Sequence, residues 1–264
     1  MNLQLNNQHA LVTGSTAGIG FAIACALAEE GAHVILNGRH ADRVEAALAR
    51  LRSKIPHARC HGVAADVSQA QGCEELIKAV PKVDILVNNL GIFDPKPFED
   101  IPDTDWSRFF ETNVMSGVRL SRAYLPGMKQ RNMGRVVFIS SESGICPPAE
   151  MVHYGMTKSA QLSVARGLAE CCAGTAVTVN SVLPGPTLTE GAKTFFDNLA
   201  AQQKVSFEEA TRSFFSNARP TSIIQRFIEP TEVASMVAYV CSPLAAATNG
   251  TALRVDGGVV RSLV

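Results

Sequence analysis

The stretch that most narrows the possible folds lies near the N-terminus. A short apolar run at 10–13 passes directly into Gly14-Ser15-Thr16-Ala17-Gly18-Ile19-Gly20, after which Ile19, Ile23, Ala26 and Leu27 recur at helical spacing up to Gly31. A strand, a sharp glycine turn and a helix in that order leave backbone N–H groups at a helix N-terminus, where a pyrophosphate can sit. The spacing is G-x-x-x-G-x-G rather than the G-x-G-x-x-G of the common dinucleotide fingerprint, so the strand-turn-helix context carries more weight than the glycines. In isolation a Gly-rich turn is only a turn; at the head of an alternating chain it points to cofactor binding.

The alternation continues to the other end. Further strands are predicted at 33–37, 58–64, 83–88, 135–140, 176–182 and 252–255, several of them nearly continuous apolar runs, as strands covered on both faces must be. Helical patterns separate them; Val233, Met236, Val237 and Val240 follow Pro230 at helical spacing. The expectation is an α/β fold, a doubly wound parallel sheet of about seven strands with helices on both faces in three α/β/α layers. No linker, repeat or charge block divides the chain, so one domain is expected over 1–264. The exception is 188–229, which holds two helical patterns and no strand; it is too long for an ordinary αβ loop and reads as a substrate flap.

Composition narrows the partners. With 46% apolar residues among 264 the chain can bury a large core, and 24 Lys plus Arg against 24 Asp plus Glu leave no positive excess for nucleic acid or an anionic membrane. No apolar run approaches the ~18 residues of a bilayer span, and 1–9 lacks a basic patch followed by an apolar stretch, so a cytoplasmic protein is expected. Seven cysteines, an odd number without regular spacing, read as reduced core residues, Cys171 and Cys172 included. His57, Cys60 and His61 lack a fourth ligand at a recognisable spacing, and Cys60 and His61 would face opposite sides of a strand; no metal site is expected.

Chemistry is carried by a few polar residues at strand ends and on one helix. Asn88-Asn89-Leu90-Gly91 closes the fourth strand and on its own reads as a terminating turn. Tyr154 and Lys158 lie at i and i+4, which on a helix brings an ammonium near a phenol; a neighbouring cation favours the phenolate and lets it act as acid or base. Ser141 lies thirteen residues before Tyr154 at a strand end, where parallel sheets bind ligands. His153 is expected to border the pocket.

In order and spacing, the Thr13 to Gly20 loop, Asn88-Asn89-Leu90-Gly91, Ser141 with Tyr154 and Lys158, and Pro184-Gly185 resemble the short-chain dehydrogenase/reductase family, 3-oxoacyl carrier-protein reductases above all. The resemblance implies a Rossmann-like fold and a tetrad of Asn113, Ser141, Tyr154 and Lys158. Tyr154 would donate and accept the proton, Ser141 polarise the carbonyl, Lys158 hold the ribose and lower the tyrosine pKa, and Asn113 hold a water beside the lysine. The dinucleotide would lie on Gly14, Ser15, Thr16, Gly18, Ile19, Gly20, Asn89 and Gly91, with Asp66 and Val67 at the adenine and Pro184, Gly185 and Thr187 at the nicotinamide. Leu90 departs from the family's alanine at that place. The family also implies a homotetramer through the helix that carries Tyr154, whose continuation at 159–173 is small or apolar around most of its circumference.

The second strand ends in Gly38-Arg39, where an acid would bind the ribose hydroxyls of NAD; the missing acid and the arginine favour NADP. Phe93, Cys146 and Met151 are expected beside Ser141 and Tyr154 at the substrate. Phe195, Phe196, Phe207, Phe214 and Phe215, five of the chain's 12 phenylalanines, are expected to make the site apolar and suited to a lipophilic, 3-oxoacyl-like ketone. Two alternatives stand: an NAD-dependent alcohol or sugar dehydrogenase, and a dinucleotide-sensing protein without turnover. The ordinary spacing of tyrosine and lysine argues against an enoyl reductase.

Overall fold

In the computed structural model, which describes residues 1–263, the strands β1 (His9–Val12), β2 (His33–Gly38), β3 (Arg59–Ala64), β4 (Ile85–Asn88), β5 (Gly134–Ile139), β6 (Val177–Pro184) and β7 (Ala252–Val255) form a single sheet. Their order is β3-β2-β1-β4-β5-β6-β7, and every neighbouring pair is parallel. The order reverses between β1 and β4, so the crevice for a ligand opens at the C-terminal ends of those strands, where the glycine turn lies.

Alternating side chains of the strands feed two separate cores. Ala10 and Val12 face the layer of α1 (Gly18–Glu29), α2 (Ala41–Lys54) and α9 (Pro230–Cys241), while Leu11 faces α3 (Ala70–Ala79), α5 (Ser116–Gln130) and α6 (Val152–Glu170). The α4 helix (Asp103–Phe110) runs into α5 through a π-helical turn, Glu111–Met115. Pro230 starts α9 where its missing N–H costs nothing, and Glu229 and Glu232 cap it reciprocally. Strand ends differ from expectation by a residue or two. The β6 strand runs on to Pro184, because a terminal proline pairing with Val255 needs no N–H of its own.

The stretch 188–229 forms α7 (Glu190–Gln203), capped by Thr189, and α8 (Phe207–Asn217), which starts with a Ser206–Glu209 capping box. A single parallel bridge, Thr187 to Ile228, ties its two ends together. Among the described residues no helix is long and apolar enough to cross a membrane. The cysteine expectation needs correction. Cys73, Cys172 and Cys241 are buried, but Cys146 and Cys171 are exposed, because the first lies in the loop before α6 and the second just beyond its end.

Candidate active site

The glycine turn is built by close approach. Gly18 has φ +56°, and a Cβ on Gly20 would lie 2.4 Å from Asn89 Nδ2 and 2.5 Å from Gly14 O, so only glycine lets α1 start this close to the ends of β1 and β4. The Ala17 N-cap has no side chain to cover the first turn of α1, which leaves that end suited to the phosphates of a dinucleotide. Two of the residues expected at the cofactor also brace the turn. Ser15 is fully buried, its hydroxyl donating to Val12 O (2.7 Å) and accepting from Asn37 N (3.0 Å), and the Asn89 amide donates to Thr13 O (2.9 Å) and Gly14 O (3.1 Å). Their side chains hold the turn.

Other residues expected at the dinucleotide lie at or near the ends of β1, β2, β3 and β6. Thr16 lies against Gly38, where an added Cβ would come within 2.6 Å of its methyl group, and Arg39 is exposed beside it. Asp66 accepts from Ser68 N and Oγ, while the Val67 side chain is buried in the core and can offer only backbone. The Ile19 side chain packs on the α1 core. Pro184 and Gly185 close β6, and Thr187 donates to Gly185 O at 2.9 Å. Leu90 packs beneath the turn against the second core.

Ser141, Tyr154, Lys158 and Asn113 converge at the C-terminal edge of β4 and β5. Lys158 is buried; its Nζ donates to Ile139 O (2.9 Å) and Gln161 Oε1 (3.2 Å) and lies 5.5 Å from the centre of the Tyr154 ring. Asn113 sits in the π-helical turn, which frees its carbonyl from the helix ladder, and Gln161 Nε2 donates to that carbonyl at 2.6 Å. The Asn113 side chain bonds Ile92 through both its oxygen and its nitrogen, and reaches Thr157 as well. A Cβ on Gly91 would lie 3.4 Å from Lys158 Nζ, so the turn after β4 abuts the lysine.

The charge balance corrects the expected effect of the lysine. Burial pushes the Tyr154 phenol well above its ordinary value; Glu142 adds to this, and the Ser141 hydroxyl opposes it. Burial also pulls Lys158 down to about 7, with Glu142 opposing. The ammonium is turned toward Ile139 and Gln161 and lies over the ring face, and burial outweighs its pull on the phenol.

Sequence reasoning missed four residues here. Glu142, directly after Ser141, is buried and hydrogen-bonded to its hydroxyl. Gln161 bridges Lys158 and Asn113; its position three residues after Lys158, on the same helix face, was the available signal. Thr189 and Glu190 pack against Gly18, and Glu190 Oε2 accepts from Gly18 N. By contrast His153 does not border the site. It is fully buried, tilted against Phe109 with ring centres 4.1 Å apart and edge-on to Trp106 at 6.0 Å, and burial lowers its pKa.

Of the expected substrate contacts, Phe93 is exposed and stands edge-on to Tyr154 at 6.4 Å, Cys146 is exposed in the loop between β5 and α6, and Met151 is half-buried just before α6. The phenylalanines at 195–215 behave differently from expectation. Phe196 and Phe215 are buried with Phe227, and Phe207 and Phe214 pack on them, so four of the five form a core inside the helical pair; Phe195 alone of them is exposed. Two short helices have too little contact with the sheet to be held by it, and the rings supply the missing core.

The family model for short chain dehydrogenase matches residues 8–200. The chain is 53% identical to an uncharacterized oxidoreductase, YvaG, of Bacillus subtilis, over the full length of both. It is 31% identical to the 3-oxoacyl-[acyl-carrier-protein] reductase FabG of Aquifex aeolicus, covering 98% of this chain and 100% of that one. In structure it is similar to L-sorbose reductase from Gluconobacter frateurii, solved with NADPH and L-sorbose, with a TM-score of 0.92 and 31% identity over the whole of both chains.

Proposed function

Because the chain belongs to the short-chain dehydrogenase family, we propose that this NAD(P)-dependent oxidoreductase reduces a ketone to a secondary alcohol, using NADPH, with Tyr154 as proton donor. The observation that carries the reading is the convergence of Ser141, Tyr154 and Lys158 at the strand ends beside the glycine turn. A bound nicotinamide dinucleotide supplies the hydride. Ser141 holds the carbonyl oxygen and Tyr154 gives it the phenolic proton, for which a phenol kept protonated by burial is well suited. Lys158 holds the ribose, and Asn113 keeps the base of the site in place through Thr157 and Gln161.

NADPH over NADH is supported by Gly38 and exposed Arg39 at the end of β2, and by the NADPH complex of the sorbose reductase. The substrate meets Ser141, Tyr154, Phe93, Cys146 and Met151, beneath α7 and α8 acting as a flap within one domain. A lipophilic ketone is supported by exposed Phe93 and Phe195. A second reading, a hydroxylated ketone, is favoured by the turning of four flap phenylalanines into their own core and by likeness to a reductase solved with L-sorbose. The protein is read as cytoplasmic and as a closed homotetramer formed through α6. The test is oxidation of NADPH and NADH with 3-oxo esters of rising chain length and with ketoses. Turnover with NADPH supports the proposal; cofactor binding without turnover on any carbonyl would leave a dinucleotide sensor.

A further inference from the structure

Glu142 is an acid where the reaction does not obviously need one. It is 6% exposed, it follows Ser141 at the start of the loop after β5, and its Oε2 is hydrogen-bonded to Ser141 Oγ. The same hydroxyl accepts from Ser143 N at 3.1 Å. A hydroxyl has one proton and two lone pairs. With one lone pair committed to Ser143, the direction of the bond to Glu142 decides what Ser141 can still offer. If Glu142 is a carboxylate, it takes the serine proton, and Ser141 presents only a lone pair, which repels a carbonyl oxygen. If Glu142 is a neutral acid, it donates to Ser141, and the serine proton is free for the substrate.

Resting on the reading of Ser141 and Tyr154 as the reducing site, we infer that Glu142 is a positioning residue which, as a neutral acid, donates its proton to Ser141 Oγ and so frees the serine proton for the substrate carbonyl. The three groups then form a chain, Glu142 to Ser141 to carbonyl, in which each hydrogen bond polarises the next. No bond is made or broken at Glu142 during turnover; the proton delivered to the product still comes from Tyr154.

The groups facing Glu142 fit this role. From the segment after α8, Arg219 Nε stands 3.7 Å from Glu142 Oε1, beyond hydrogen-bond distance, while its Nη1 donates to Glu150 Oε1 (3.1 Å) and Ala218 O (2.7 Å). This cation beside the acid is therefore shared with a second acid, Glu150. From α6, Tyr154 and Lys158 lie within electrostatic reach. Burial raises the Glu142 pKa, and the Ser141 hydrogen bond, Arg219 and the backbone hydrogen bonds of Ser143 and Glu142 oppose it. Ketone reduction should then fail at the pH where Glu142 ionises, and Arg219 lowers that pH.

The test is the pH profile of ketone reduction with NADPH in full-length wild type, E142Q, E142A and R219Q, with S141A and Y154F alongside. The amide of E142Q still donates to Ser141, so kcat should stay within roughly threefold and the alkaline limb should move up by about one pH unit or more. E142A should lose at least ~10-fold in kcat with an unchanged KM for NADPH. R219Q should move the limb upward, since it removes a cation that favours the carboxylate; a purely structural role predicts no such shift. An E142Q limb identical to wild type, or an E142A variant as active as wild type, overturns the inference. Should S141A and Y154F keep full activity, the reducing site itself is misassigned and the inference falls with it. If those two are inactive while the Glu142 variants match wild type, only the inference falls. Infrared difference spectra of wild type minus E142Q at pH 7 read the protonation state without turnover: a neutral carboxyl C=O band supports the inference, and carboxylate bands alone refute it.

Discussion

Glu190 Oε2 accepts a hydrogen bond from Gly18 N at 2.9 Å, which puts a carboxylate on the positive end of α1. Arg50 holds the other oxygen at 3.3 Å. Burial opposes the charge on Glu190, but its backbone hydrogen bonds and Arg50 outweigh this and hold its pKa below the ordinary value. The same helix end is suited to a dinucleotide phosphate, so the two negative groups compete. Glu190→Gln should tighten NADPH binding by roughly 3- to 10-fold, read by fluorescence titration. Weaker binding would mean that the carboxylate assists the cofactor.

Removing the phenolic hydroxyl separates chemistry from binding. Tyr154→Phe keeps the ring that Phe93 stands against, so NADPH affinity should hold while kcat falls at least ~100-fold. Stopped-flow transfer from NADPH to a ketone is the measurement, and near-normal turnover would remove Tyr154 from its role.

Cofactor choice should respond to Arg39 more cleanly than to Gly38. Arg39 is exposed and free to change, so Arg39→Leu should reduce the NADPH to NADH ratio of kcat/KM by about 10-fold. A side chain at Gly38 would begin 2.6 Å from the Thr16 methyl group, so Gly38→Asp should also cost about 1–3 kcal/mol through overpacking. Thermal unfolding of both variants separates the two effects.

The stability of the cofactor-free protein should depend on Lys158. Burial lowers its pKa from 10.5 to about 7, so between those values the unfolded chain binds more protons than the folded one. Stability therefore rises with pH across that window and is lost as pH falls toward 7. Melting curves from pH 7 to 9 should show this rise in wild type and a flatter response in Lys158→Met. The raised pKa of Tyr154 acts in the opposite direction only above pH 10.

The sheet was legible because its strands are short apolar runs separated by helical patterns, whereas the place where the strand order reverses was not read from the sequence. Tyr154, Lys158 and Ser141 were legible for a similar reason, since helix periodicity and strand ends fix them locally. Contacts made across the chain were not. Arg219 reaches Glu142 and Glu150 only because α8 ends above that loop, and no local spacing announces it. Phenylalanine content marked 195–215 as apolar without telling which way the rings face; their mutual packing depends on how α7 and α8 meet. The π-helical turn at Asn113 has no composition of its own; it lies where α4 and the turn itself pack against α6.

That internal phenylalanine core gives the helical pair its own cooperativity. Rings at 196, 214, 215 and 227 bind the two helices to each other; Glu190 ties the start of α7 to Gly18 and Arg50, and the segment after α8 is anchored by Arg219 to Glu142 and Glu150, by Thr221 to Val259 and by Ile223 and Ile224 to Gly257. Such a unit can swing or exchange its amides as a block without loosening the sheet. On the function proposed above, it also lets a cover over the substrate be redrawn in evolution while the glycine turn and the sheet stay as they are.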